Sequence, residues 1–389
     1  MFDLVITSMA TAIAIFSLSL LLKQNTSSAI VPFSTIMICL TILSLGPAVF
    51  ALLPSFEQLY IALLPTIFFV FLPSVWLYQQ TLMSSDPWHW NKSTIKHLIS
   101  VPFAMGLSLL LCTMPSESFQ QMLYAEEMVS QPVAYAASLF FFVMFIVWCL
   151  LSFCYTLAMI KRTISYRREL KTVFSDQQGK TMGWLNLFSY LVLLSWIYAL
   201  AVLLFEERLQ AFGIFQSGVF ILLLLMVWLI AANGLSQRPG FEDIIDTDLS
   251  AHQSNTIQVS KLKKESYQRS ALNLDDLSQI AAKLRHAITA DQVHLGSDIN
   301  LLRLSKQIGV PSQYISQTLS QHLGTNFFDF INKARIDDAK RLLTGTERSV
   351  LDVAVSTGFN ARSSFYKAFK QFADVTPIEY RRLHGYSSD

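Results

Sequence analysis

Five polar side chains near the end of the chain are spaced so that one short helix end presents them together. They are Asn360, Arg362, Ser363, Tyr366 and Lys367. An exposed helix tip rich in hydrogen-bond donors is suited to recognition rather than to bond-making chemistry. Such side chains bind base edges and phosphates when a helix enters the major groove of DNA.

Two short helices joined by a tight turn at Gly358 are predicted to position these donors. The spacing of apolar residues predicts that the second helix packs on the first. The apolar positions are Val350, Val353, Ala354, Phe359, Phe365, Phe369 and Phe372. A last helix begins at Pro377. This arrangement is a helix-turn-helix.

The same stretch resembles the signature of AraC/XylS-type transcription regulators. The resemblance is carried by Asp352, Gly358, Phe359, Asn360, Phe365, Phe369, Lys370, Thr376, Pro377, Tyr380 and Arg381. It extends upstream through Leu301–Leu343 and as far as Tyr267, and so covers about the last third of the chain. Ala373-Asp374 stands where the family usually has glycine, which makes the geometry of the following turn a point to examine.

The resemblance implies two recognition helices that reach successive segments of the major groove. On the first recognition helix, the resemblance implies that the residues facing DNA are Gln313, Ser316 and Gln317. On the second recognition helix, it implies that they are Arg362, Ser363, Tyr366 and Lys367. Arg and Gln side chains can make bidentate contacts with guanine and adenine edges. Lys370, Arg381 and Arg382 are better suited to phosphates.

The residues upstream independently predict the first helix-turn-helix and a connecting helix. Leu301, Leu304 and Ile308 mark a supporting helix, Gly309 a turn, and Pro311 or Ser312 the start of a second helix that runs through Leu323. Thr325 or Asn326 is expected to cap a long amphipathic helix over Phe327–Leu343. Before these elements, Leu274, Leu277, Ala281, Leu284 and Ile288 predict one more amphipathic helix.

The first part of the chain has a different composition. Hydrophobic residues make up 52% of the chain and charged residues 14%, and only ten of the 29 Lys and Arg residues lie within residues 1–235. Seven apolar stretches fill this part, and most reach the roughly 20 residues that cross a bilayer. They are Leu4–Leu22, Ile30–Leu53, Leu59–Leu82, Leu98–Thr113, Val133–Ile160, Trp184–Phe205 and Phe212–Leu235.

The loops between these stretches predict their orientation. With the N-terminus outside, basic residues concentrate in the inner loops, while acidic residues dominate the outer ones. An odd number of spans then places the C-terminal domain in the cytoplasm. We therefore expect a multi-pass protein of the bacterial inner membrane.

The sequence predicts an all-α chain of three parts: a seven-helix transmembrane sensor domain over 1–235, a cytoplasmic linker over 236–272, and a cytoplasmic DNA-binding domain with two helix-turn-helix motifs over 273–389. The fifth stretch continues as a helix past Ile160 through Arg168. This extension has two interpretations, an anchor that touches anionic lipid or a contact surface for the DNA-binding domain.

No catalytic, metal-binding or cofactor-binding motif is recognisable. Cys39, Cys112, Cys149 and Cys154 fall inside the predicted spans at spacings that match neither a metal site nor a disulfide framework. No ionisable group lies in the middle of a span, which disfavours an ion-coupled transporter. We expect no enzyme and no cofactor.

These observations favour a membrane-anchored one-component transcription regulator. The expected partners are double-stranded promoter DNA, membrane lipids, a second copy of the chain, and an unknown small-molecule or physical signal. Two alternatives stay open at this point: a membrane receptor or transport-like protein whose tail binds a protein partner, and a regulator that is released by proteolysis between Ser236 and Ser260.

Overall fold

The computed structural model describes residues 1–24, 29–84, 89–124, 132–177, 180–211, 217–235, 237 and 273–385. The chain divides into two compact units. One comprises Met1–Ile164 and Met182–Glu242; the other comprises Ser165–Thr181 and Asp243–Asp389. The regular elements of the described residues are helices, which confirms the all-α class for this part of the chain.

The first unit contains the apolar helices. Their bounds are α1 (Phe2–Gln24), α2 (Ile30–Ser44), α3 (Gly46–Leu52), α4 (Glu57–Leu82), α5 (Lys92–Lys96), α6 (Val101–Thr113), α7 (Ser116–Tyr124), α8 (Pro132–Val173), α9 (Gly183–Ala211) and α10 (Ser217–Gly234). Residues 165–173, at the end of α8, belong to the second unit. Helix α1 packs against α2 and α10, while α4 packs against α2 and α6. A break before Gly46-Pro47 separates α2 from α3.

Six segments of the described residues are long and apolar enough to cross a membrane. They are Phe2–Leu21, Ile30–Leu52, Pro54–Leu82, Pro132–Val173, Gly183–Val202 and Ser217–Gly234. The fourth predicted stretch differs, because its helix, α6, has only 13 residues. At 1.5 Å per residue it is about 20 Å long, which is short of the roughly 30 Å of a hydrocarbon core. A count of seven spans therefore stays a prediction.

Helix α8 shows how these helices present their apolar residues. Large side chains spaced by three and four residues form one exposed stripe along it. The stripe consists of Leu139, Phe142, Ile146, Leu150, Phe153 and Leu157, with exposed fractions between 42% and 62%. An exposed apolar face of this extent is unfavourable in water and favourable in lipid.

Polar side chains inside the first unit pair across neighbouring helices, as expected for a helix bundle. The Thr11 and Ser44 hydroxyls lie 2.7 Å apart, and those of Thr66 and Ser108 lie 2.8 Å apart. Gln79 Nε2 donates to Thr163 Oγ1 over 2.8 Å. These contacts give the paired side chains a structural role.

The second unit holds the C-terminal helices. They are α11 (Leu274–Thr289), α12 (Leu301–Ile308), α13 (Ser312–Gln317), α14 (Phe327–Gly345), α15 (Val350–Ser356), α16 (Arg362–Ala373) and α17 (Pro377–His384). Two apolar clusters form its core. One joins α11, α12 and α13 to the start of α14, and the other joins the rest of α14 to α15 and α16. The predicted linker, 236–272, lies outside the described residues except for Gln237.

Candidate nucleic-acid interface

Helices α12 and α13 form the first helix-turn-helix. Asn300 begins α12, where its side-chain oxygen accepts a hydrogen bond from the backbone N–H of Arg303 over 2.9 Å. Gly309 ends the helix with a φ of 64°, a left-handed conformation that glycine adopts without strain. Leu304, Ile315 and Leu319 are buried between the two helices and α11. The supporting helix, turn and second helix thus lie where the sequence predicts them.

The three residues predicted to face DNA here all lie on α13. Gln313, Ser316 and Gln317 are all partly exposed, and their spacing of three and four places them on one face. Gln317 Nε2 donates to Gln321 Oε1 over 3.1 Å. Beyond Gln317 the helix continues in a π-helical turn, Thr318–His322.

Helices α15 and α16 form the second helix-turn-helix. Ser349 caps α15 by accepting a hydrogen bond from the backbone N–H of Asp352 over 3.1 Å. Phe365 and Phe369, both fully buried on α16, share an apolar cluster with Val353 and Ala354 of α15. The Phe365 ring also meets the Phe359 ring of the turn edge-on, with centroids 5.2 Å apart. Gly358 makes the turn with a φ of 86°. With its aromatic face buried, α16 presents its opposite face to solvent.

The outer face of α16 carries the predicted donors. Arg362, Ser363, Lys367 and Lys370 are exposed, and Tyr366 is partly buried. The Arg362 guanidinium lies over the Tyr366 ring at 5.0 Å and donates to its hydroxyl over 3.2 Å. This stacking orients a planar donor group along the helix surface before any ligand is bound.

The turn after α16 resolves the departure from the family pattern. Asp374 takes the glycine-like conformation itself, with a φ of 59°. Aspartate tolerates this region better than most residues do. The next helix is then capped by reciprocal hydrogen bonds between Thr376 and Glu379, which also lower the pKa of the Glu379 carboxyl. The substitution leaves the fold of this turn intact.

Arg381 has an additional structural role. Its guanidinium donates to the carbonyl of Leu343 over 3.3 Å and to the carbonyl of Arg348. These bonds tie α17 to the end of α14. A phosphate contact by Arg381 stays a prediction, as do the DNA contacts of the other residues named for this surface.

Helix α14 connects the two helix-turn-helix motifs. Asn326 caps it by accepting a hydrogen bond from the backbone N–H of Asp329 over 2.9 Å. The sequence had predicted a cap at either Thr325 or Asn326. Ile331 belongs to the first apolar cluster, whereas Ile336 and Leu343 belong to the second. One helix therefore contributes to both cores and joins them.

Arg335, on α14, is a fully buried residue that sequence reasoning missed. Its Nε donates to the carbonyl of His294 over 2.7 Å and its Nη2 to that of Gly296 over 2.8 Å, while its guanidinium lies 5.4 Å from the Phe359 ring centre. Burial lowers its pKa to about 10, and the negative charge of Asp176 opposes this effect. The available signal was spacing, since position 335 lies four residues after Ile331 and four before Ala339.

Known proteins resemble this part of the chain. Residues 304–383 match a helix-turn-helix domain family model. An uncharacterized HTH-type transcriptional regulator of Staphylococcus aureus strain COL is 33% identical over 113 residues, which are 29% of this chain and 14% of that protein. The regulatory protein PocR of Salmonella typhimurium is 29% identical over 101 residues, which are 26% of this chain and 33% of PocR.

The solved structures include a similar chain. The C-terminal domain of AraT, a response regulator from Geobacillus stearothermophilus, is 31% identical, with 27% of this chain and 88% of that one covered and a TM-score of 0.25. The chain spans 14% and 33% of the length of the two relatives named above. The family model places a helix-turn-helix domain at residues 304–383, where the sequence motif predicted one.

Among the described residues, no group of three or more His, Cys, Asp and Glu side chains could hold a metal ion. His294 instead pairs with Asp338, with 2.8 Å between Nε2 and the carboxylate oxygen. Burial by itself would raise the pKa of Asp338, but hydrogen bonds from His294 and Arg341 outweigh it and lower the pKa. This pair fixes the residues before α12 against α14.

Proposed function

We propose that this chain is a membrane-anchored, one-component transcription regulator that binds promoter DNA through its two helix-turn-helix motifs. The observation that carries the proposal is the repetition of one arrangement, a supporting helix, a left-handed glycine turn and a donor-bearing helix, on either side of α14. Two such motifs on one connecting helix suit successive segments of the major groove.

The relatives support this function and do not suggest an enzyme. Those matched over the C-terminal domain bear the names of transcriptional regulators or regulatory proteins. Between Ile299 and Tyr386, twelve Lys and Arg residues stand against seven Asp and Glu residues. This small excess of positive charge favours binding to a polyanion without providing specificity.

Membrane anchoring is supported by the six long apolar segments and by the exposed apolar stripe of α8. We propose a multi-pass protein of the bacterial inner membrane, with seven spans, the N-terminus outside and the DNA-binding domain in the cytoplasm. The spans would detect a membrane-soluble, periplasmic or physical signal, and the protein would act as a homodimer on repeated half-sites. No cofactor is proposed.

The DNA-binding proposal is tested with the full-length protein in lipid nanodiscs. The probe is a duplex that the wild-type protein selects from a random-sequence library, compared with a scrambled duplex of the same composition. Arg362→Ala and Gln317→Ala should each reduce the preference for the selected duplex by about 5- to 150-fold, because a bidentate base contact contributes roughly 1–3 kcal/mol. Lys370→Ala should weaken both duplexes alike and reduce the salt dependence by about one ion.

Arg285→Ala is the matched control, because this exposed arginine lies on α11, outside both helix-turn-helix motifs. It should leave the sequence preference unchanged. Selection of no sequence by the wild-type protein, or an equal loss in the control, would refute the assignment. A reporter fused to the C-terminus and active only outside the cytoplasm would refute the topology.

A further inference from the structure

Ser165–Thr181, between the apolar part of α8 and the start of α9, belongs to the same compact unit as the DNA-binding domain. We call its described residues, 165–177 and 180–181, the docking segment. It begins as the last turns of α8, which continues from the apolar stripe without a break in the helix. The sequence left two interpretations of this extension, and its contacts favour the second one, a surface that meets the DNA-binding domain.

The first contacts join the docking segment to the first helix-turn-helix. Phe174 forms an antiparallel bridge with Asn300, the residue that caps α12. Ser175 Oγ donates to the carbonyl of Ile299 over 2.7 Å. Ser175 is 3% exposed and Phe174 is 5% exposed, so this part of the segment is enclosed by protein.

The next contacts join the segment to the connecting helix α14. Asn332 Nδ2 donates to the carbonyl of Ser175 over 3.0 Å, and Arg335 Nη2 lies 3.4 Å from Ser175 Oγ. Asn332 is 1% exposed and Arg335 is fully buried. Buried polar groups are costly unless they are hydrogen-bonded, and the segment supplies part of this bonding.

The last contact reaches the second helix-turn-helix. The Asp176 carboxylate accepts a hydrogen bond from Asn360 Nδ2 over 2.9 Å, and the same Asn360 nitrogen lies 3.2 Å from the carbonyl of Ser297. Asn360 precedes α16, the second recognition helix, by two residues. Two consecutive residues, Ser175 and Asp176, therefore contact both helix-turn-helix motifs and the helix between them.

The place of these contacts determines what they can control. The two apolar cores are separate clusters that share α14. The docking segment lies along the seam between them, which Ile299, Asn300, Asn332, Arg335 and Asn360 form. A bound segment stabilises one relative orientation of the two motifs. Ordering them before DNA binds reduces the entropy that binding must offset.

The charge of the docking segment favours DNA binding rather than opposing it. It carries four basic residues, Arg167, Arg168, Lys171 and Lys180, against two acidic ones, Glu169 and Asp176. Its docking therefore adds positive charge to the domain, which does not repel DNA. Lys171 also lies 5.6 Å from the ring centre of Phe328 at the start of α14.

We propose that the docking segment is the element through which the membrane helices control DNA binding. When docked on the seam, it holds both recognition helices in the orientation that engages two major-groove segments. When α8 is displaced, the segment leaves the seam and affinity falls. This inference rests on the proposed function, because it assigns the regulation of the same DNA-binding surface.

The test compares single substitutions in the full-length protein in lipid nanodiscs, with the selected duplex as the probe. Ser175→Ala removes the bond to Ile299, and Asp176→Ala removes the bond to Asn360. Each should weaken binding about fivefold to tenfold, the loss of roughly one hydrogen bond. Thr172→Ala is the matched control, because this exposed side chain bonds only within its own helix turn, to the carbonyl of Glu169, and should bind like wild type.

A second measurement excludes a folding defect. Hydrogen exchange should leave the amides of α12 and α16 protected in Ser175→Ala and Asp176→Ala, since the apolar cores do not contain either residue. Folded variants that bind like Thr172→Ala would overturn the inference, and so would tighter binding, which would make the docked segment an inhibitor. Absence of selective binding by the wild-type protein would instead refute the proposed function.

Discussion

Gly358→Ala is the substitution whose effect the structure defines most directly. The glycine has a φ of 86°, and a Cβ at this position would lie 2.7 Å from the carbonyl oxygen of Leu295 and 3.0 Å from that of His294. Left-handed backbone costs a residue with a Cβ about 1–2 kcal/mol. Because the nearest atoms belong to the backbone, the overlap should cost about 1–3 kcal/mol more, as overpacking does.

Gly309→Ala is the matched comparison, since Gly309 has a φ of 64° but no atom within 4 Å of the added Cβ. It should cost the backbone strain alone. Hydrogen exchange of the full-length protein measures both variants. Each 1.4 kcal/mol of lost stability should raise the exchange rate about tenfold. The amides of α15 and α16 should therefore exchange at least roughly 30-fold faster in Gly358→Ala. Those of α12 should exchange about 5- to 30-fold faster in Gly309→Ala. Equal effects in the two variants would show that the turn at Gly358 widens freely, which would refute the steric reasoning.

Three further substitutions test the connections of α14. Arg335→Met leaves the carbonyls of His294 and Gly296 without their donor. Hydrogen exchange of the amides before α12 should therefore show that their opening free energy falls by about 2–4 kcal/mol. Substitution of the exposed Lys333, in Lys333→Met, should change it little. Asp338→Asn should lower the free energy of unfolding at neutral pH. The difference in this free energy between the variant and wild type should shrink below about pH 4, because a carboxyl whose pKa is lowered in the folded state loses its stabilising effect once the pH falls below its ordinary pKa. Asn326→Ala should lower the free energy of thermal unfolding by about 1 kcal/mol, because the helix cap is lost, whereas Asn326→Ser should keep most of that free energy. Equal losses in the two variants would contradict a capping role.

The sequence predicted the local structure of the DNA-binding domain well. Glycines at 309 and 358, and the polar cap at 326, set the ends of helices through interactions within a few residues. Such signals are visible in a linear sequence because both partners lie close together in it. The apolar spacing of Leu304, Phe365 and Phe369 similarly identified buried faces.

Contacts between distant parts of the chain could not be predicted in this way. Arg335 has the charge of a surface residue, and its burial depends on carbonyls at 294 and 296 that no helical pattern indicates. Ser175 pairs with Asn332 across 157 positions of sequence. The length of α6 was also missed, because apolar composition gives the extent of a hydrophobic run but not where its helix begins.

The chemistry of the seam bears on whether docking can be reversible. The two motifs are each held together by apolar residues, including Leu304 and Ile315 in one and Phe365 in the other, all fully buried. The docking segment buries Leu170 and Phe174, and it bonds to the seam through hydrogen bonds of Ser175 and Asp176. Water can replace such bonds at a net cost of about 1 kcal/mol each, whereas opening an apolar core costs several times more per side chain. Release of the segment can therefore change the orientation of two folded motifs without unfolding either one.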